Sequence, residues 1–198
     1  NISVVNVAVG YGENPILTGI NFTLEENTLI GLIGVNGSGK SALLDTLLGE
    51  IPIICGKITP DLSGQVSFFP QNVEDPPFLT VGQVVEIGLR SGKYEGNVID
   101  ALEICGISHL YECQFPDISG GEKNRAWLAF VLAQNRDVIF LDEPFSMIDS
   151  QSKNGFYQLL HDVCLTGKTI LVVSHDTELL SRHADKILEI NGDGIQEY

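Results

Sequence analysis

Leu29-Ile30-Gly31-Leu32-Ile33, followed at once by Gly34-Val35-Asn36-Gly37-Ser38-Gly39-Lys40-Ser41, is the stretch that decides how this chain folds. Its first five residues are almost continuously apolar, the pattern of a strand buried on both faces. The pattern breaks into glycines and resumes from Lys40 with Ala42, Leu43, Leu44, Leu47 and Leu48 at helical spacing, ending at Gly49. Strand, loop and helix therefore follow one another, and the loop fits G-x-x-x-x-G-K-[ST]. Glycines let the backbone curl so that several N–H groups point at one anion, and the start of the following helix adds partial positive charge. Lys40 is expected to reach the outer phosphates of a nucleotide, and the Ser41 hydroxyl to hold magnesium.

Outward from this stretch, the N-terminal residues alternate apolar and polar, as in Val5, Val7, Val9 and again Ile20, Phe22, Leu24, which predicts an antiparallel β piece. Val66 to Phe69 reads as a short strand ending at Pro70-Gln71. From there to Asp117 the spacing turns helical: Thr80 and Gln83 form a capping box ahead of Val81, Val84, Val85 and Leu89, and a second stripe runs Val98, Ala101, Leu102, Cys105 to a stop at Gly106. Thereafter helix and strand alternate: a helix from Ser119, strand Val138 to Leu141, a helix with Phe156, Leu159, Leu160 and Val163, strand Thr169 to Val173, a short helix, and strand Lys186 to Ile190. Such alternation implies right-handed crossovers and a parallel sheet covered on both faces. The expected division is a single domain over 1–198, with a core of 1–70 and 118–198 and a small helical subdomain at about 71–117.

Composition narrows the class. Among 198 residues, 26 are acidic and 11 basic, a formal charge of −15, which argues against a broad surface for gripping nucleic acid. Any phosphate must be held by local groups. Cys55, Cys105, Cys113 and Cys164 are scattered without a Cys-x-x-Cys pair, so reduced structural thiols are expected rather than a zinc cage or redox motif. Apolar runs are only a handful of residues long, far below the roughly 18 needed to cross a bilayer. No secretory leader is read at the start of the stretch, and a soluble chain is expected.

Two further motifs bear chemistry. Val138-Ile139-Phe140-Leu141-Asp142-Glu143 delivers two carboxylates at the C-terminal end of a buried strand, where open parallel sheets bind ligands. Asp142 is expected to hold magnesium through water, and Glu143 to orient and deprotonate the attacking water. Ile118-Ser119-Gly120-Gly121-Glu122 opens a helix with Ser119 and Glu122 at capping-box spacing. Two glycines behind a cap expose N–H groups at a positive helix end, a start able to take a second anion.

In this order the elements resemble the nucleotide-binding subunit of the ATP-binding cassette (ABC) family, over nearly the whole chain. The resemblance implies an α/β P-loop NTPase with a parallel core sheet, an N-terminal antiparallel β piece and a helical subdomain, binding ATP and Mg2+. It implies that Tyr11, beside Gly12, stacks on adenine, and that Gln71 senses the γ-phosphate, helps hold magnesium and faces a membrane partner. Ile118 to Glu122 is similar to the family signature, with Ile for the usual Leu and Glu for the usual Gln. Ser146-Met147-Ile148-Asp149 resembles the loop whose aspartate crosses a dimer interface, and His175 the switch histidine that contacts γ-phosphate and water. Two departures stand out: Ala42 where threonine is frequent, and no glycine near Glu26-Asn27 ahead of the phosphate-loop strand.

By this resemblance the nucleotide is shared. Gly34, Asn36, Gly37, Ser38, Gly39, Lys40 and Ser41 of one copy would hold ATP, and Ser119, Gly120, Gly121, Glu122 and Asp149 of a second would close over it. ATP then joins the pair and hydrolysis, with Glu143, His175 and Gln71 as catalytic groups, opens it. Expected partners are a second ATPase subunit, separate transmembrane permeases and a solute-binding protein, at the inner face of a cell membrane. The Gln71 region and Thr80 to Val85 are similar to importers of metal ions or metal chelates. An alternative is the soluble cassette protein acting on ribosomes, which Ser119 to Arg125 also resembles, although those chains carry two cassettes joined by a charged linker. Chromosome-maintenance cassettes separate phosphate loop and signature by a long coiled coil, whereas Ile118 follows Ser41 by only 77 positions. A small GTPase or kinase would lack both the Ser119 element and the His175 switch.

Overall fold

The computed structural model describes residues 1–92, 96–144, 148–192 and 194–198. Strands β1 (Ile2–Tyr11) and β2 (Asn14–Leu24) pair antiparallel, as their alternation predicts, and β4 (Cys55–Thr59) joins the other edge of β1. The main sheet has the order β5-β6-β7-β3-β8-β9, built from β3 (Leu29–Gly34), β5 (Val66–Phe69), β6 (Val138–Asp142), β7 (Thr169–Val173), β8 (Lys186–Asn191) and β9 (Gly194–Glu197). All of its pairings are parallel except the last, β8 with β9.

Burial on both faces explains why β3 and β7 read as unbroken apolar runs. Successive side chains leave a strand on opposite faces. Leu29, Ile139, Leu141, Ile170 and Val172 enter one apolar core with the helices α4 (Gly120–Ala133) and α5 (Ser150–Leu165). Ile30, Leu32, Phe140, Leu171 and Val173 enter the other, with helix α1 (Lys40–Leu48) and the antiparallel sheet. Between β5 and α4 lie α2 (Val81–Ser91) and α3 (Val98–Ile104), which pack on α4 in the first core. Trp127 of α4 sits among Phe69, Phe115 and Phe130, with ring centroids 5.1–5.8 Å away. Helix α6 (Thr177–His183) precedes β8.

Local chemistry accounts for the ends. Thr80 caps α2 with its side-chain oxygen accepting from Gln83, and the Gln83 side chain returns the bond. The missing glycine before β3 is replaced by Asn27 at φ 61°, one of the few residues that adopts the left-handed region without a glycine. Two strands escaped the sequence reading: β4, whose residues are mostly exposed, and the short edge strand β9. Neither carries the alternating apolar signal on which strand prediction depends.

Candidate nucleotide site

The phosphate loop joins β3 to α1 at the C-terminal end of the parallel strands. Gly39 stands at the start of α1 with φ 101°, a conformation only glycine adopts cheaply, and a Cβ there would meet Leu17 and Ile16 at 3.0 Å. No side chain caps α1, so its first N–H groups are left for a ligand. Ser38 turns a buried hydroxyl without a protein partner into the loop beside Gly34. Lys40 Nζ donates to the carbonyls of Gly34 at 2.8 Å and Val35 at 3.1 Å, which folds the ammonium over the loop's interior. Asn36, Gly37 and Ser41 are part of the same turn and helix start; Asn36, Gly37 and Ser41 are exposed. Tyr11 ends β1, more than half exposed, close to Asp45 of the phosphate-loop helix α1.

Asp142 and Glu143 arrive at the end of β6. Burial pushes the Asp142 carboxyl above the usual carboxylate range, and the nearby Lys40 charge opposes this. Burial also raises Glu143, opposed first by His175. For both groups the ionised form is the disfavoured one in the fold, so their contribution to stability declines as pH rises through the carboxylate range. Glu143 adopts φ 47°, a left-handed conformation that costs a non-glycine residue of order 1 kcal/mol or more. Its N–H is held by the Val173 carbonyl at 2.9 Å, and its Oε1 lies 3.1 Å from Nε2 of His175. A kinked strand end thus turns one carboxylate toward the loop that follows β7.

Gln71 follows β5 and lines a cleft of about 260 Å³ together with Glu143, Pro144, Gly120 and Lys123. The glutamine loop, the second carboxylate and the start of α4 therefore face one another, a convergence that spacing alone cannot reveal. Two contacts tie α4 to these loops: Lys123 Nζ lies 2.7 Å from Asp75 Oδ2, and the Asn124 amide donates to the Pro144 carbonyl.

Ser119 caps α4. Its N–H and its hydroxyl both donate to one Glu122 oxygen, at 2.8 and 2.7 Å, and these bonds hold the Glu122 carboxyl below its usual range. Gly120 and Gly121 follow at the helix start. Asp149 caps α5, accepting from the N–H groups of Gln151 at 3.1 Å and Ser152 at 2.9 Å and from the Ser152 hydroxyl at 2.7 Å. Of the loop Ser146-Met147-Ile148-Asp149, Ser146 and Met147 lie outside the described residues. Ser119 to Glu122 belongs to α4, the phosphate loop to the β3–α1 turn; within the chain, the groups joined to Glu143 are His175 and the Gln71 cleft.

An uncapped, glycine-built helix start with a lysine folded over it, two carboxylates at a neighbouring strand end and a histidine on the second of them define a nucleotide triphosphatase of the P-loop kind. The family model described as ABC transporter matches residues 17–146, and the chain belongs to that family, as its ATP-binding and ATP-hydrolysing subunit. The manganese transport system ATP-binding protein MntB of Bacillus subtilis is 34% identical, over 94% of this chain and 82% of its own length. The zinc transport system ATP-binding protein TroB of Treponema pallidum is 30% identical, over 96% and 78%. A solved inward-facing transporter of the metal-chelate type superposes with a TM-score of 0.86 at 27% identity, covering 100% of this chain and 82% of that one. No helix among the described residues is long and apolar enough to cross a membrane.

Two residues beside this site escaped the sequence reading: Lys123 and Asn124, which bind α4 to the cleft.

Proposed function

We propose that this chain powers import of a transition-metal ion or metal chelate by closing on ATP as a pair and hydrolysing it. The observation that carries the catalytic half is the pairing of half-buried Glu143 with His175, 3.1 Å apart, within reach of the Lys40 charge. Glu143, its carboxylate made more basic by burial, takes a proton from the attacking water. His175 orients Glu143 and meets the γ-phosphate. Lys40 leaves its two carbonyls for phosphate oxygens, and the free N–H groups of α1 take the rest of the charge. Ser41, Asp142 and Gln71 offer a hydroxyl, a carboxylate and an amide, the oxygen donors that suit Mg2+, which would neutralise charge on the phosphates. Tyr11 supports the base.

Ser119, Gly120, Gly121, Glu122 and Asp149 are read as the face offered to ATP on a second copy. The domain division proposed is a core of 1–70 and 118–198 with a helical subdomain at about 71–117, and the cleft at Gln71 is where a separate membrane subunit engages, on the cytoplasmic side. A solute-binding protein would complete such an importer. Metal import is favoured because the relatives described above are named for manganese and zinc transport, which also sets the ribosome-acting alternative aside. Purification from membranes in detergent tests it: a membrane-spanning polypeptide should co-elute, and ATPase activity of the complex in vesicles should rise with Mn2+ or Zn2+ supplied to the opposite face. Co-elution with ribosomes instead would contradict the proposal.

A further inference from the structure

Lys123 and Asn124 of α4 hold different loops at the Gln71 cleft. Lys123 Nζ meets Asp75 Oδ2 at 2.7 Å, on the loop that follows β5. The Asn124 side-chain amide donates to the Pro144 carbonyl, on the loop that follows β6 and immediately after Glu143. Gly120, Lys123, Asn124 and Trp127 all line the cleft, and their spacing of three, four and seven residues is that of one helix face. Trp127 is packed among Phe69, Phe115 and Phe130, so the helix that carries Asn124 is anchored one turn further along.

The bond to Pro144 falls where the backbone most needs holding. Glu143 adopts φ 47°, a left-handed conformation that is strained for a residue with a side chain. It also precedes a proline, whose ring pushes the residue before it toward extended backbone. Glu143 therefore keeps its turn only while both flanks are fixed. On one flank its N–H donates to the Val173 carbonyl at 2.9 Å. On the other, Pro144 has no N–H, and its carbonyl is the one backbone group that can be held. Pro144 is buried, and that carbonyl accepts from Asn124. A carbonyl can only accept, so the amide nitrogen of Asn124 is the atom that must face it. Asparagine is a weaker helix former than leucine or glutamine, so its place inside α4 is explained by this bond and not by the helix.

We propose that Asn124 is a positioning residue for hydrolysis: by holding the Pro144 carbonyl it keeps Glu143 in the turn that faces His175. The helix that opens with Ser119 is thereby joined to the catalytic carboxylate of its own chain. This rests on the roles given above to Glu143 and to the ATP-closed pair. The test compares the full parent chain with Asn124→Leu, Glu143→Gln and the double variant. It measures steady-state ATPase, equilibrium ATP binding, and the lifetime of the ATP-driven dimer by light scattering after size exclusion. Leucine keeps the branched shape of asparagine, removes the donor and adds no charge. Asn124→Leu should lower kcat by about 10- to 100-fold, the scale of a displaced catalytic group, with ATP affinity within about twofold of the parent. Its dimer should outlive the parent's, because turnover is slower. The double variant should match Glu143→Gln within about twofold, because Asn124 acts through that carboxylate. Should leucine prevent folding, Asn124→Asp keeps the shape, turns an acceptor toward the carbonyl and carries the same expectations. Parent kcat in the Asn124 variant beside an inactive Glu143→Gln would overturn the proposal and leave the reading of the site standing. So would a loss that tracks weakened ATP binding, a dimer shorter-lived than the parent's, or a further drop in the double variant. Full turnover by Glu143→Gln would overturn the site reading itself and the proposal with it.

Discussion

Two helix starts in this chain are built from similar residues and do opposite things. Helix α1 opens with Gly39 and Lys40 and has no side-chain cap, whereas α4 opens with Ser119, Gly120 and Gly121 and is closed by a complete capping box. Of the six α-helices among the described residues, α1 alone is uncapped; Thr80, Asn97, Ser119, Asp149 and Asp176 serve the others. Both starts offer N–H groups and the positive end of a helix dipole. At α1 they stand free with a lysine above them. At α4 the Ser119 hydroxyl and N–H are already committed to the Glu122 carboxylate, which adds a negative charge. Under the proposed function, the first start takes a triphosphate within one chain, and the second would have to exchange its own carboxylate for a phosphate on another copy's nucleotide.

The sharpest way to break this contrast is to cap α1. Gly39→Asp places a side chain where φ is 101° and a Cβ meets Leu17 and Ile16 at 3.0 Å, and supplies a carboxylate to the same N–H groups. ATP binding measured by calorimetry should fall by at least about 100-fold, since strain and charge act together. Wild-type affinity in that variant would mean that the free helix start is not the phosphate site.

A smaller effect is expected at α4, where Glu122→Gln keeps the reciprocal cap but removes the charge. ATP-driven association should tighten by about two- to fivefold, corresponding to the roughly 0.3–1 kcal/mol that a charge at a helix terminus is worth. The pH dependence has a definite sign. The Glu122 carboxyl is held below its usual value, so its favourable contribution to the fold is present above the unfolded carboxylate pKa and is lost as pH falls through the lower folded one. Parent and Glu122→Gln should therefore differ in stability at neutral pH and converge on acidification, as followed by chemical denaturation. Weaker association of Glu122→Gln would show that the carboxylate assists the shared site.

How much of this was legible in the sequence follows from how local each feature is. The β3–loop–α1 unit, the capping boxes at Thr80 and Ser119 and the strand that ends in Asp142-Glu143 all rest on neighbouring residues, and their structures agree with the reading. Strand β4 was missed because its partner β1 lies some fifty residues earlier and its own residues are mostly exposed. The left-handed turn of Glu143 left no mark, since glutamate is not a residue that announces positive φ. The doubled bond of Glu122 to Ser119 was implied by spacing, but its competition with an incoming anion emerges only beside the uncapped α1.

The central claim is that Glu143 drives hydrolysis at a site completed by a second copy. Glu143→Gln measured by light scattering after size exclusion, with ATP and Mg2+, addresses it directly. The expected result is a dimer that forms only with ATP, persists for lack of turnover, and reverts to monomer when ATP is removed, with kcat reduced by about 100-fold or more. Brisk hydrolysis by this variant, or a monomer at saturating ATP, would contradict the account.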